Sequence, residues 1–108
     1  CDLVSFSIIR IGGVDQLCIA DGIVRGLIDN GPDANIAEIH ARIVGDAGIG
    51  VIENILDRPL PKGSAAQIEF NAGGGSVSQI KFTPKVMIAG KTVACSKQAL
   101  LVENIRPC

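Results

Sequence analysis

Apolar and polar side chains alternate along several short segments of this chain, and turn-forming residues separate the segments. The clearest segment ends at Gly31-Pro32, and a second turn at 60–64 precedes another alternating segment. In the first segment Val24, Gly26, Ile28 and Asn30 fall on alternate positions, and the first three are expected to point inward. Successive side chains of a strand point to opposite faces, so this alternation is typical of strands that bury one face. The pattern therefore predicts an all-β protein.

Seven strands are predicted from these segments. They cover residues 3–11, 18–30, 36–44, 49–56, 64–71, 77–88 and 92–105. A helix is an alternative for 36–44, because its isoleucines also fit a helical period, but the β-branched content favours a strand. Pro84 predicts an edge position, a bulge or a bend within 77–88, and we expect a break in the last strand near Ser96. Short strands separated by turns predict a two-sheet sandwich that forms one domain over residues 1–108.

The composition argues against several classes of function. The 108 residues carry ten basic and eleven acidic side chains, a net charge of −1, and no block of Lys or Arg. Nucleic-acid binding lacks its electrostatic basis in such a chain. An aromatic content of 3% leaves few rings for stacking on bases or sugars. No apolar segment approaches the roughly 20 residues that span a bilayer. We expect no nucleic-acid partner, no membrane span and no cofactor.

An even number of cysteines predicts two disulfides. They are Cys1, Cys18, Cys95 and Cys108. They contain no C-x-x-C pair, and the single histidine, His40, is far from them in sequence, so a zinc site is disfavoured. Two disulfides indicate an oxidising compartment, and we expect a secreted or cell-surface protein. Lipidation of the first cysteine is an alternative, although an apolar strand begins at Leu3, where lipoproteins usually have a polar linker.

Three stretches resemble the immunoglobulin-like sandwiches of prokaryotic surface proteins. They are Val24-x-Gly26-x-Ile28-x-Asn30-Gly31, the strand and turn from Ala41 to Gly48, and Leu60-Pro61-Lys62-Gly63-Ser64 with Ile68 and Phe70. The likeness is to the cell-adhesion-related domain found in bacteria and to the globular domains of archaeal pilins and secreted fibres. It implies an immunoglobulin-like two-sheet sandwich of about seven strands with no catalytic residues. The chain lacks the long apolar N-terminal helix of archaeal pilins, so we do not expect a helix-cored pilus.

The resemblance also implies which cysteines pair. In an immunoglobulin-like topology strands alternate in direction, which brings Cys1 near Cys95 and Cys18 near Cys108. Each bond would close a loop of about ninety residues and contribute about 4 kcal/mol in the chain-entropy model. A local scheme, in which Cys1 pairs with Cys18 and Cys95 pairs with Cys108, is the main alternative.

No group of residues has the pattern of an active site, and we predict a protein that is not an enzyme. The glycine-rich segment 71–76 lacks the lysine of a phosphate-binding loop and is expected to be a turn. His40 and the serines lack the sequence context of a catalytic triad. A calcium site formed by Asp21, Asp29 and Asp33 is an alternative. The spacing of these residues matches no EF-hand-like loop.

The predicted function is that of a secreted structural protein, the subunit of an extracellular filament or pilus-like fibre. The first strand is apolar on both faces, and an exposed apolar edge invites pairing with another chain. We therefore expect this segment to join the sheet of the next copy as a donor strand in a head-to-tail homopolymer. The expected subunit-interface residues are Leu3, Val4, Phe6, Ile8, Ile9 and Ile11. Burial of the strand in its own subunit is the alternative.

A monomeric adhesion or ligand-binding module of a cell-surface protein is the second hypothesis. Its contacts would come from the loops at 29–35 and 73–76. Its partner would be a surface receptor. O-linked glycosylation of the module itself is a further alternative.

Overall fold

The computed structural model describes all residues from Cys1 to Cys108, and its regular structure is almost entirely β. It contains twelve strands and one short 3-10 helix, Ser96–Gln98. The strands are β1 (Phe6–Ile8), β2 (Arg10–Ile11), β3 (Val14–Asp15), β4 (Leu17–Ala20), β5 (Ile23–Asn30), β6 (Glu38–Gly45), β7 (Gly48–Ile52), β8 (Ala65–Asn71), β9 (Val77–Ile88), β10 (Lys91–Ala94), β11 (Leu100–Glu103) and β12 (Arg106–Pro107). The predicted all-β class is confirmed.

Two larger sheets and one small ribbon contain all twelve strands. In the first sheet β5 is central: β8 pairs along one edge, and β1 and β4 follow each other along the other edge. The short β12 lies parallel to β4. In the second sheet β7, β6 and β9 are neighbours, and β10 and β11 share the far edge of β9. The β2–β3 ribbon interrupts the line from β1 to β4.

Three predicted strands are subdivided in the structure. The prediction of one strand over 18–30 is wrong, because β4 and β5 form a hairpin around Asp21-Gly22. Both turn residues have a positive φ, 52° and 78°, which Asp and Gly adopt more readily than most residues. The first predicted strand contains β1 and β2. The last is broken at the 3-10 helix near Ser96, as expected.

Pro84 lies inside the second sheet rather than at its edge. It pairs with Ile39 of β6 on one side. On the other side the neighbouring strand is interrupted between β10 and β11, and the Cys95 amide donates to the Pro84 carbonyl at 2.8 Å. The proline is accommodated because its missing N–H faces this interruption and not a continuous ladder. The strand interpretation of 36–44 is confirmed by β6, which pairs with both β7 and β9.

The inner faces of the two larger sheets form one apolar core. Val24 and Ile28 contribute from the first sheet, and Ile39 and Ile80 contribute from the second; each is at most 1% exposed. The rings of Phe70 in β8 and Phe82 in β9 meet edge to face, with centroids 6.2 Å apart. Burying one such side chain contributes about 1.5–3 kcal/mol, so the alternating positions identified in the sequence hold the sheets together.

Two disulfides join distant parts of the chain. Cys1 is bonded to Cys95 and Cys18 to Cys108, across separations of 94 and 90 residues. These are the pairs implied by the resemblance. Two disulfides indicate a non-cytoplasmic, oxidising compartment. The structure has no helix with the length and hydropathy needed to span a bilayer.

Candidate contact surfaces

The six residues predicted at a subunit interface are divided by the structure between the core and the surface. Val4 and Phe6 belong to the protein's own core, with exposures of 6% and 7%. Ile8 and Ile9 are half-buried. The remaining two, Leu3 and Ile11, are exposed. Within this chain β1 pairs with β5, which corresponds to the alternative of a strand buried in its own subunit.

An apolar groove lies beside the N-terminal segment, and we call it the Leu3 groove. Its volume is about 440 Å³, and nine of its eleven lining residues are apolar. The lining residues include Cys1, Leu3, Ala34, Pro59, Met87 and Ile88. The exposures of Leu3, Met87 and Ile88 are 66%, 57% and 47%. These three large apolar side chains are exposed beside one groove, and exposed apolar clusters often mark contact surfaces.

Buried polar contacts hold the walls of the Leu3 groove in place. The Asn30 side-chain amide donates to the carbonyls of Ala34 and Leu60, at 2.9 and 3.1 Å. Asn30 is only 2% exposed, so these bonds are shielded from water. The Ala37 amide donates to the Lys85 carbonyl at 2.8 Å, which joins the 34–37 segment to β9. The Cys1–Cys95 disulfide fixes Cys1, which also lines the groove.

The free edge of β7 is a second exposed apolar surface. One edge of β7 pairs with β6, and no strand pairs with the other. Ile49 and Val51 are 64% and 53% exposed. The strand contains no charged residue and no proline, the residues that usually protect a sheet edge from pairing with another chain. We call this surface the β7 edge.

The glycine-rich segment 71–76 connects β8 and β9, as the predicted turn requires. A shallow cavity of about 190 Å³ separates it from the β6–β7 hairpin. The Ser76 amide donates to the Asp46 carboxylate at 2.7 Å, so a negatively charged side chain already occupies this main-chain donor. A carboxylate at that position repels a phosphate, which agrees with the expectation of a turn.

The remaining sequence candidates are not brought together. His40 lies half-buried on the outer face of β6, opposite Thr83. Asp21 and Asp29 lie at opposite ends of β5. No group of three His, Cys, Asp or Glu side chains is placed to hold a metal ion. The sulfur of Cys1, the alternative lipidation site, is bonded to Cys95.

The predicted interface residues did not include the exposed apolar residues of these two surfaces. Those residues are Met87 and Ile88 in the Leu3 groove, and Ile49 and Val51 at the β7 edge. One signal was present for β7: the run Gly48-Ile49-Gly50-Val51 contains two glycines and no charge, which is unusual for a strand. The Leu3 groove had no such signal, because its walls come from segments far apart in the chain.

Comparison of the chain with protein-family models, with curated proteins and with solved structures finds no match. The chemistry and position of the exposed surfaces are therefore the basis for a functional proposal.

Proposed function

We propose that this protein is a secreted structural protein, the repeating subunit of an extracellular filament held together by contacts between apolar surfaces. The observation that carries the proposal is the presence of two separate exposed apolar surfaces on one small chain. The Leu3 groove lies where β9 ends, near Ile88, whereas the β7 edge begins at the hairpin opposite the start of β9. A subunit with two contact surfaces can bind one neighbour at each and so extend an assembly.

The covalent framework also supports an extracellular assembly. Both disulfides link a residue near the start of the chain to one near its end. Disulfides persist in oxidising compartments, which include the extracellular space. In the unfolded chain they restrict conformational freedom, and each contributes about 4 kcal/mol in the chain-entropy model.

Strand donation is a more specific form of this proposal. A donated β1 would take the place beside β5 of the next copy, with Phe6 in that copy's core. The Cys1–Cys95 bond would then join two chains, because Cys1 is only five positions before Phe6. Non-reducing electrophoresis of the assembled protein distinguishes the two forms. Donation produces a covalent ladder that reductant removes, whereas surface contact produces a single monomer band. We favour surface contact because β1 pairs with its own chain.

We also propose that the fold is an immunoglobulin-like sandwich. The division of the strands between the two sheets supports it: β1, β5 and β8 share one sheet, while β6, β9, β10 and β11 share the other. In the constant-type immunoglobulin arrangement the first, second, fourth and fifth strands form one sheet. Here β7, in the fourth place, pairs with β6 in the opposite sheet.

A monomeric ligand-binding module is the second candidate, and the Leu3 groove favours it. A volume of about 440 Å³ is within the range of small-molecule sites. Ala34 and Asn35, from the loop predicted to make contacts, line the groove.

Sedimentation velocity and electron microscopy of the full chain test the proposal. We expect the wild type to form filaments at micromolar concentration and Met87→Lys to reduce assembly, because a lysine in the groove must lose hydration on contact. Leu101→Lys is a matched control, since Leu101 is 54% exposed but lies outside the groove. A wild type that stays monomeric contradicts the filament proposal, and saturable binding of a small apolar ligand by that monomer supports the second candidate.

A further inference from the structure

Gly50 occupies an interior position of β7 for which the chain itself supplies no reason. Its φ is not positive, and a Cβ built on it would meet no atom within 4 Å. Gly26 of β5 differs, because a Cβ there would lie 2.7 Å from the Leu17 side chain. A strand glycine weakens its strand, and it often marks a place where another backbone approaches closely. Gly50 therefore has no steric role within its own chain, and it lies at the centre of a strand whose outer edge is unpaired.

The main-chain groups of Ile49 and Val51 face the open side of β7. Gly45 and Gly48 flank a two-residue turn and pair with each other, so they exchange hydrogen bonds. Antiparallel pairs alternate, which directs the groups of Gly48, Gly50 and Ile52 toward β6. The bond from the Ile55 amide to the Ile39 carbonyl, at 2.9 Å, continues the same alternation. Ile49 and Val51 therefore present unpaired main-chain donors and acceptors at the open edge, beside their own exposed aliphatic side chains.

The other edge strands of a second copy are poorly suited to this surface. Among edge strands of four or more residues, β8 contains Glu69, β10 contains Lys91 and β11 contains Glu103. Pairing with any of them brings a charge against an apolar strand that offers no counter-charge. β7 is the uncharged member of this set. A second β7 is therefore the edge with the best chemical match.

We propose that two copies of this protein pair through β7, antiparallel and in a register centred on Gly50. Ile49 of each copy then lies opposite Val51 of the other, and these two pairs exchange main-chain hydrogen bonds. Gly50 faces Gly50 of the second copy in a pair without hydrogen bonds, where Cα atoms approach to about 4.5 Å. The aliphatic side chains of both strands meet on the outer face of one continuous sheet.

The proposed pairing has two-fold symmetry, which determines how it contributes to a filament. A two-fold contact joins two copies and leaves no second β7 edge free. Extension of the filament then needs the Leu3 groove as the other contact. Subunit direction alternates along the fibre, which differs from the head-to-tail order expected from the sequence. This inference rests on the proposed filament function and names the partner and register of one of its two contacts.

The first test removes one outward amide from β7. Val51→Pro deletes that N–H, while the bonds from Gly50 and Ile52 to β6 are retained. Val51→Thr keeps the amide and the β-branched shape and is the matched control. We expect Val51→Pro to weaken dimer formation at least about tenfold in sedimentation velocity, the factor produced by 1.4 kcal/mol. Val51→Thr should weaken it several-fold less. Circular dichroism reports whether each variant keeps its β structure.

The second test determines the register and does not depend on the proline variant. Gly50→Cys places thiols of two copies directly opposite each other, within the Cα separation that a disulfide tolerates. Ile49→Cys places them on diagonal positions, where they are too far apart. We expect mild oxidation to cross-link Gly50→Cys at least about tenfold faster than Ile49→Cys or the exposed control Leu101→Cys. Equal rates at all three positions, or faster linkage at position 49, would overturn the pairing.

The two proposals fail in different ways. A wild type that assembles, together with a folded Val51→Pro variant that assembles equally well, overturns the β7 pairing and leaves the filament proposal standing. A wild type that stays monomeric at every concentration overturns both.

Discussion

β1 and β7 are both short, rich in apolar residues and uncharged, yet one is covered and the other is exposed. Phe6 of β1 is 7% exposed, whereas Ile49 of β7 is 64% exposed. The difference comes from which positions face the core. In β1 the inward positions carry large side chains. In β7 the partners of the buried Ala41 and Ile43 are Ile52 and Gly50, so the side chains of Ile49 and Val51 point outward. The apolar content of a strand therefore does not show whether the strand is covered.

A large effect is expected when β1 is released from its disulfide. Replacing Cys1 and Cys95 by alanine should lower the free energy of unfolding by about 4 kcal/mol, because the unfolded chain becomes less constrained. Urea denaturation without reductant measures the loss. Hydrogen exchange should then show faster exchange of β1 amides, since these lie near the removed bond. Replacing Cys18 and Cys108 is the matched control, with a similar loss of stability but little change in β1. Equal β1 protection in the two variants would contradict this view of the N-terminal strand.

The next prediction compares β1 and β7 directly. Phe6→Ala should destabilise the fold by about 3–5 kcal/mol, because it removes a buried ring and leaves a cavity. Ile49→Ala should change stability by less than about 0.5 kcal/mol, because its side chain is exposed in the single chain. Thermal unfolding of dilute monomer measures both. A large loss for Ile49→Ala at that dilution would mean that β7 is covered within its own chain.

The smallest effect concerns two strand glycines. Gly26→Ala should cost about 1–3 kcal/mol, since its Cβ would clash with Leu17 and approach the Gln16 carbonyl at 3.1 Å. Gly50→Ala should be neutral or stabilising by up to about 1 kcal/mol, because the space is open and the unfolded chain becomes less flexible. Denaturant midpoints of the two variants provide the measurement. Similar losses at both positions would remove the distinction on which the role of Gly50 depends.

Local sequence patterns predicted much of the framework. The strand over 77–88 was predicted with the bounds of β9, because its alternation ends at the Ala89-Gly90 turn. The Asp21-Gly22 hairpin was missed although Asp-Gly is a strong turn signal, since the apolar residues on both sides suggested one continuous strand. The pairing of the four cysteines in disulfides depended on the strand topology. The resemblance to immunoglobulin-like sandwiches supplied that topology.

The candidate surfaces were harder to predict than the framework. Exposure of Ile49 depends on which edge of β7 stays unpaired, and that is a property of the assembled sheet. The Leu3 groove needs Ala34, Pro59 and Met87 to meet, although they are far apart in the sequence. Both faces of the first predicted strand are apolar, and the structure accounts for Val4 and Phe6 by burial in their own subunit.

The Cys1–Cys95 bond also decides how the molecule would respond to mechanical load. Tension applied at residues 1 and 108 passes through this bond and then along residues 95–108, so the loop between the two bonded cysteines is not in the shortest covalent path. At about 3.5 Å per residue, the segment can lengthen only to roughly 45 Å before the backbone is taut. The central strands β5, β6 and β9 would stay folded while the ends are stretched.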